Sequence, residues 1–202
     1  MNIKHVILAG DSAGAHLALT VNFLAILRGF RRPDALLVHY PVWCVDINRF
    51  FPSQLLSVDE EMLSQPFLKF ALACFMRSGG NPDKSPLCSP ILAPDALIRL
   101  LPPLRIFSCE IDSLRDNAFY FTHRILTANN VSVDQPYDDS KAKVRIFYMR
   151  DYIHGFCNLD TKHVGVEEYQ KGTQITIREF RYLFLNWIYQ TLTKRLPETL
   201  FS

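Results

Sequence analysis

The sequence predicts an α/β fold built on a mostly parallel sheet with helices on both faces. Two observations carry that expectation. Four short apolar runs, at 6–9, 35–40, 105–109 and 144–149, alternate with segments of helical composition. The runs are apolar without clean polar alternation, as strands covered on both faces require.

The elements follow in order. Val6-Ile7-Leu8-Ala9 reads as a buried strand, and Gly10 to Gly14 as a tight turn. A helix over 15–28 carries Leu17, Val21, Leu24 and Ile26, and Gly29 and Pro33 end it. Pro41 stops the second strand. A helix is expected over 59–77, closed by Gly79-Gly80-Asn81-Pro82. Residues 85–94 hold Pro86, Pro90 and Pro94 and read as an ordered loop packed on the surface. Pro102-Pro103 sets up the third strand, and a helix over 116–128 follows it. After the fourth strand, the last helix is expected over 175–196, amphipathic through Phe180, Leu183, Phe184, Trp187 and Ile188. The polar stretches 134–143 and 160–172 read as solvated loops.

Composition excludes several classes. The chain has 202 residues, 49% hydrophobic and 21% charged, enough for one domain with a real core. Lys and Arg number 22 and Asp and Glu 20, so the net charge of +2 gives no reason to expect a nucleic-acid partner. No apolar stretch approaches the ~20 residues of a transmembrane helix. The start, Met1 to His5, lacks the apolar region and cleavage site of a signal peptide. Cys44, Cys74, Cys88, Cys109 and Cys157 are scattered and odd in number. They read as reduced, mostly buried thiols of a cytoplasmic protein, and none has metal-ligand spacing. No metal and no organic cofactor is expected.

The strongest local signal is Gly10-Asp11-Ser12-Ala13-Gly14, a G-x-S-x-G pentapeptide between an apolar strand and an apolar helix. A turn that tight is expected to exclude bulk two residues before and two after the serine, hence the two glycines. It would push the Ser12 hydroxyl out above the sheet. The backbone N–H of Ala13 would then face the same space as an oxyanion donor, helped by the positive end of the helix.

A serine hydroxyl needs a base, and the base an orienting acid. Both are expected past the C-terminal ends of later strands. After the third strand, Glu110, Asp112 and Asp116 compete for the acid's place. Asp112 lies in the loop beyond the strand end and is the expected acid. Asp116 fits a helix cap or first turn better, and Glu110 lies close to the strand. After the fourth strand, His154 stands beside Gly155 and is the expected base. His5 precedes the serine's strand, and His16 lies on the helix just after it. His39 is within a strand and His123 within a helix. His163, in a polar stretch, is the one serious rival.

Together these motifs resemble those of the hormone-sensitive lipase family of α/β-hydrolases. Gly10-Asp11-Ser12-Ala13-Gly14 has the form of that family's nucleophile motif. Asp112-Ser113-Leu114-Arg115-Asp116 is similar to its D-P-L-x-D motif, with serine in the place of proline. His154-Gly155-Phe156 is similar to its H-G-F motif, and Tyr40-Pro41 also recurs there. The segments 55–59, 89–95 and 101–103 extend the resemblance toward the animal-type lipase. It covers roughly residues 4–192.

The resemblance implies the α/β-hydrolase fold from the nucleophile strand onward, with residues 1–196 as part of a catalytic domain. It implies a Ser12–Asp112–His154 triad, an acyl-enzyme intermediate, and carboxylic esters or acylglycerols as substrates. By analogy a lipid-droplet surface joins the expected partners. The family's H-G-G oxyanion motif has no counterpart here, since the serine is residue 12. The expectation is therefore a partial domain with an exposed strand edge and weak or no activity alone. A short-chain carboxylesterase is the nearest alternative, and an impaired lipid- or protein-binding module the next. The apolar stretch 67–75 reads as a helix packed on the core or on a missing half, with an acyl pocket wall as the alternative.

Overall fold

The computed structural model describes residues 5–49, 51–58, 60, 62–76, 81–131 and 142–158. The chain divides into two compact units, 1–155 and 156–202. The second is described only over Phe156–Asn158, a single 3₁₀ turn.

Among the described residues, the first unit holds a four-stranded parallel sheet in the order β1-β2-β3-β4. The strands are β1 (Ile7–Asp11), β2 (Ala35–His39), β3 (Leu104–Ile111) and β4 (Val144–Ile153). The helices are α1 (Ala13–Arg28), α2 (Pro52–Leu56), α3 (Gln65–Met76), α4 (Asp95–Ile98) and α5 (Arg115–Ala128). Strand order follows chain order, so right-handed crossovers place α1 and α5 on the same face. One apolar core shows this: Leu19 and Phe23 of α1 meet Phe121 and Ile125 of α5 over Leu36, Val38, Leu104 and Ile106. Trp43 packs edge-on against Phe121, with ring centroids 4.8 Å apart. The helix expected over 175–196 lies outside the described residues, as do most of 134–143 and all of 160–172.

Four local readings change. The helix expected from residue 59 begins at Gln65, where Pro66 occupies a first-turn position whose N–H needs no acceptor. A short α2 precedes it, started by Pro52 and fastened where the Phe51 N–H donates to Gln54 Oε1 at 2.9 Å. Residues 85–94 are not a surface loop throughout. Ile91 is 1% exposed and Ala93 fully buried. That stretch is satisfied by the 43–45 backbone: the Ile91 N–H donates to the Trp43 carbonyl at 3.1 Å, and the Val45 N–H to Ser89 Oγ at 3.2 Å. Finally, β4 runs on through polar Arg150, Asp151 and Tyr152 to Ile153, so His154 follows a strand directly. The cysteines are all free, but only Cys44 and Cys109 are buried and Cys74 is exposed, so "mostly buried" does not describe them.

Candidate active site

The site begins at the C-terminal end of β1. Ser12 has φ 52° and ψ −117°, a left-handed backbone that a non-glycine residue adopts only under constraint. Its N–H donates to the His39 carbonyl at 3.0 Å, which fastens the turn to the end of β2. Although Ser12 stands at the N-cap of α1, its hydroxyl makes no capping hydrogen bond. It is left for other work. Ala13 is the first helical residue, and the N–H groups of a first turn have no acceptor within the helix. The two glycines are not equivalent. A Cβ on Gly10 would sit 2.4 Å from the carbonyl carbon and oxygen of Gly14. A Cβ on Gly14 would meet nothing closer than Asp11 Oδ1, at 3.9 Å. The steric demand expected at both positions is therefore found only at Gly10.

Each of the three carboxylates at the end of β3 and just beyond it has its own task. The Asp112 side chain is fully buried and accepts from the Leu114 N–H through Oδ1 at 2.8 Å, an Asx turn that fixes its orientation. Its other oxygen, Oδ2, lies 3.1 Å from His154 Nδ1. Asp116 reaches across to α2, where its Oδ2 accepts from the Ser53 N–H at 2.8 Å and neutralises the start of that helix. Glu110 is in β3, and its Oε2 accepts from the Asp151 N–H at 2.9 Å. That bond, with the Tyr148 hydroxyl and the Arg150 and Arg115 charges nearby, holds the Glu110 carboxyl below its ordinary range.

His154 Nε2 lies 3.0 Å from Ser12 Oγ. In the tautomer whose Nδ1–H donates to Asp112, Nε2 is free to accept from the Ser12 hydroxyl. Gly155, at φ 78°, turns the chain away directly behind it. The ring of buried Tyr40 lies against the imidazole, 4.7 Å between centroids, and Tyr40 itself has φ 33°. Sequence reasoning missed that contact, although Tyr40-Pro41 marked the position.

Among the described residues, the other histidines do not join this chain of bonds. His5 is exposed and precedes β1, and His123 lies within α5. His39 is in β2, and burial depresses its pKa to about 4. The ring of His16 bonds the Val42 carbonyl through Nδ1 at 2.9 Å, and burial lowers its pKa too. His163 lies outside the described residues.

Ser12 opens into an apolar cleft of about 300 Å³. Ala13, His16 and Leu17 of α1 line one side, and Phe67, Leu68, Ala71, Leu72 and Phe75 of α3 the other. The α3 residues follow the spacing of one helix face. Leu68 and Leu72 are buried, as the packed-helix reading expects, whereas Phe67 remains 55% exposed and Phe75 49%. No helix among the described residues is long and apolar enough to cross a membrane.

A family model described as alpha/beta hydrolase fold matches residues 1–157. The chain belongs to that family. Over 100 residues it is 27% identical to hormone-sensitive lipase of Mus musculus, covering 50% of this chain and 11% of that protein. Over 76 residues it is 33% identical to the lipase of the same name from Ictidomys tridecemlineatus, covering 38% and 8%. Among solved structures, carboxyl esterase 2 of the mycorrhizal fungus Tuber melanosporum superposes with a TM-score of 0.69 at 22% identity, covering 88% of this chain and 52% of that one. The chain thus spans about half the length of the solved esterase and about a tenth of the curated lipases.

Proposed function

We propose that the chain is the serine-bearing part of a carboxylic ester hydrolase. The observation that supports this most directly is the unbroken line from Ser12 Oγ to His154 Nε2, at 3.0 Å, and from His154 Nδ1 to Asp112 Oδ2, at 3.1 Å, at an apolar cleft. Ser12 attacks the ester carbonyl carbon as its proton passes to His154 Nε2. Asp112 holds the imidazole in the right tautomer and steadies the imidazolium. The Ala13 N–H donates to the oxyanion. The C–O bond to the alcohol then breaks, His154 protonates the departing alcohol, and the acyl group remains on Ser12. Water then attacks the acyl-enzyme, giving a proton to the same histidine, which passes it to Ser12 Oγ as the acyl–Oγ bond breaks and the acid is released. The α3 wall offers an acyl chain apolar surface and no charged partner, so the substrate class is esters of apolar acids, acylglycerols included.

The test is labelling of the purified chain with a fluorophosphonate, with the adduct located by mass spectrometry and Ser12→Ala as control. An adduct at Ser12 that is absent in the variant supports the reading. Labelling elsewhere, or none, counts against it. A panel of p-nitrophenyl esters of rising chain length then separates a short-chain esterase from one that prefers longer acyl groups.

A further inference from the structure

The sheet register poses a problem that Glu110 solves. Between β3 and β4, Cys109 pairs with Met149, but Ile111 pairs with Ile153. Two steps along β3 therefore face four steps along β4, an excess of two residues in β4. With regular pairing from Cys109 onward, Asp151 would lie opposite Ile111 and Tyr152 opposite Asp112. His154 would then stand two residues too far along the strand, about 6–7 Å away. The bulge brings His154 level with Asp112, one residue past the Ile111–Ile153 pair. Bulges beside active sites commonly re-aim a side chain in this way.

The bulge has an energetic cost. Asp151 lies within it at φ 61°, left-handed for a non-glycine residue. Its N–H has left the regular ladder, and a backbone donor must find an acceptor elsewhere. The acceptor is the Glu110 carboxylate, at 2.9 Å, from the one β3 residue between the two pairs. Glu110 is itself held in place: Arg115 Nη1 donates to its carbonyl at 3.3 Å, and the Tyr148 hydroxyl lies near its carboxylate.

We propose that Glu110 is a positioning residue for His154, locking the β4 bulge in the phase that delivers the imidazole to both Asp112 and Ser12. Its kinetic consequence rests on the ester-hydrolase reading, and its structural consequence does not.

The experiment compares Glu110→Gln, which keeps an acceptor oxygen, with Glu110→Ala and Glu110→Asp, which remove it or hold it short of the Asp151 amide. One readout is the downfield imidazole N–H proton of His154 bonded to Asp112, followed by NMR in the full chain. The other is kcat and KM on p-nitrophenyl butyrate. Glu110→Ala and Glu110→Asp should lose the resonance and lower kcat about 100-fold, with KM within about twofold. Glu110→Gln should retain the resonance and stay within about threefold of the parent in kcat. The proposal is overturned if the alanine or aspartate variant keeps both resonance and kcat. It is also overturned if the glutamine variant is as impaired as alanine. If Glu110→Ala does not fold, the aspartate and glutamine variants decide alone. If the parent chain hydrolyses no ester, the ester-hydrolase reading fails, and the NMR comparison still decides the role of Glu110.

Discussion

The ends of the strands and the helix α3 meet at one cleft but are held there by different forces. Ser12, Asp112 and His154 hang from the backbone of a parallel sheet. A strained turn, an Asx turn and a bulge fix them, each closed by a hydrogen bond of 2.8–3.0 Å. Helix α3 has only Leu68 and Leu72 buried, in a small second cluster with Val42, Val45, Leu63 and Leu114. The reacting groups thus sit where displacement is costly, and the substrate wall sits where it is cheap. Substitutions at the strand ends should act on kcat, and substitutions on α3 on substrate preference.

The largest effect should come from Asp112→Asn. The amide cannot fix the imidazole tautomer as the carboxylate does, and turnover should fall by roughly 10⁴-fold, with the fold intact by circular dichroism. A comparable loss in Asp116→Asn, with Asp112→Asn near normal, would transfer the acid's role. Asp116 caps α2 instead, so its variant should lose stability before it loses turnover.

Next comes the contrast between the two glycines of the turn. Gly10→Ala places a methyl group 2.4 Å from backbone atoms that cannot yield without moving the helix start. Overpacking of that kind costs about 1–3 kcal/mol or more, and here it also displaces Ser12. Gly14→Ala meets only an ordinary contact at 3.9 Å and should fold normally. Urea unfolding and fluorophosphonate labelling of the pair test this. Equal damage at both positions would mean that Gly14 matters for a reason other than space for a Cβ.

The same contrast shows how far the sequence could be read. Ser12, Asp112 and His154 were legible because strand, motif and chain order agree. The parallel sheet was legible because its strands are uninterrupted apolar runs. The β4 bulge was not, because Arg150-Asp151-Tyr152 looks like a polar loop and a register offset leaves no periodic trace. Glu110 went unassigned for the same reason, since its task depends on which residue of β4 lies opposite. The stretch 85–94 misled because its three prolines suggest a surface. They leave fewer N–H groups to satisfy; the Ile91 N–H finds the Trp43 carbonyl, and Ser89 Oγ accepts in turn from the Val45 N–H. The helical spacing of Phe67, Ala71 and Phe75 gave α3 a face, but not what that face looks upon.

Stability should depend on pH through His39. Its folded pKa, about 4, lies below the ordinary 6.5 because burial penalises the charged ring, with Asp11 opposing the shift. At pH below 6.5 the unfolded chain binds the proton and the folded one does not. This contribution is therefore fully present above pH 6.5 and is lost as pH falls to about 4. The loss is on the order of 3 kcal/mol. His16, shifted in the same direction, adds to it. Unfolding free energies of the parent and His39→Gln at pH 7 and pH 5 should differ in slope, with the variant flatter. Identical slopes would remove His39 as a source.

The smallest effect is the one most specific to α3. Ala71 lies between Phe67 and Phe75 on the cleft face, and it is the smallest side chain that α3 contributes to the lining. Ala71→Phe should fill the space an acyl chain would use while leaving Ser12, His154 and Asp112 untouched. Even one methylene group more or less in an apolar pocket shifts discrimination by about 1–3 kcal/mol, or roughly 10–200-fold in kcat/KM. The loss should fall on the longer p-nitrophenyl esters and spare the acetate. A uniform loss across chain lengths would mean that α3 supports the site without lining the acyl path. An unchanged profile would place the acyl chain elsewhere and leave α3 as a packed helix. Either result would separate the two forces compared above, since the sheet-borne groups are the same in both proteins and only the wall has changed.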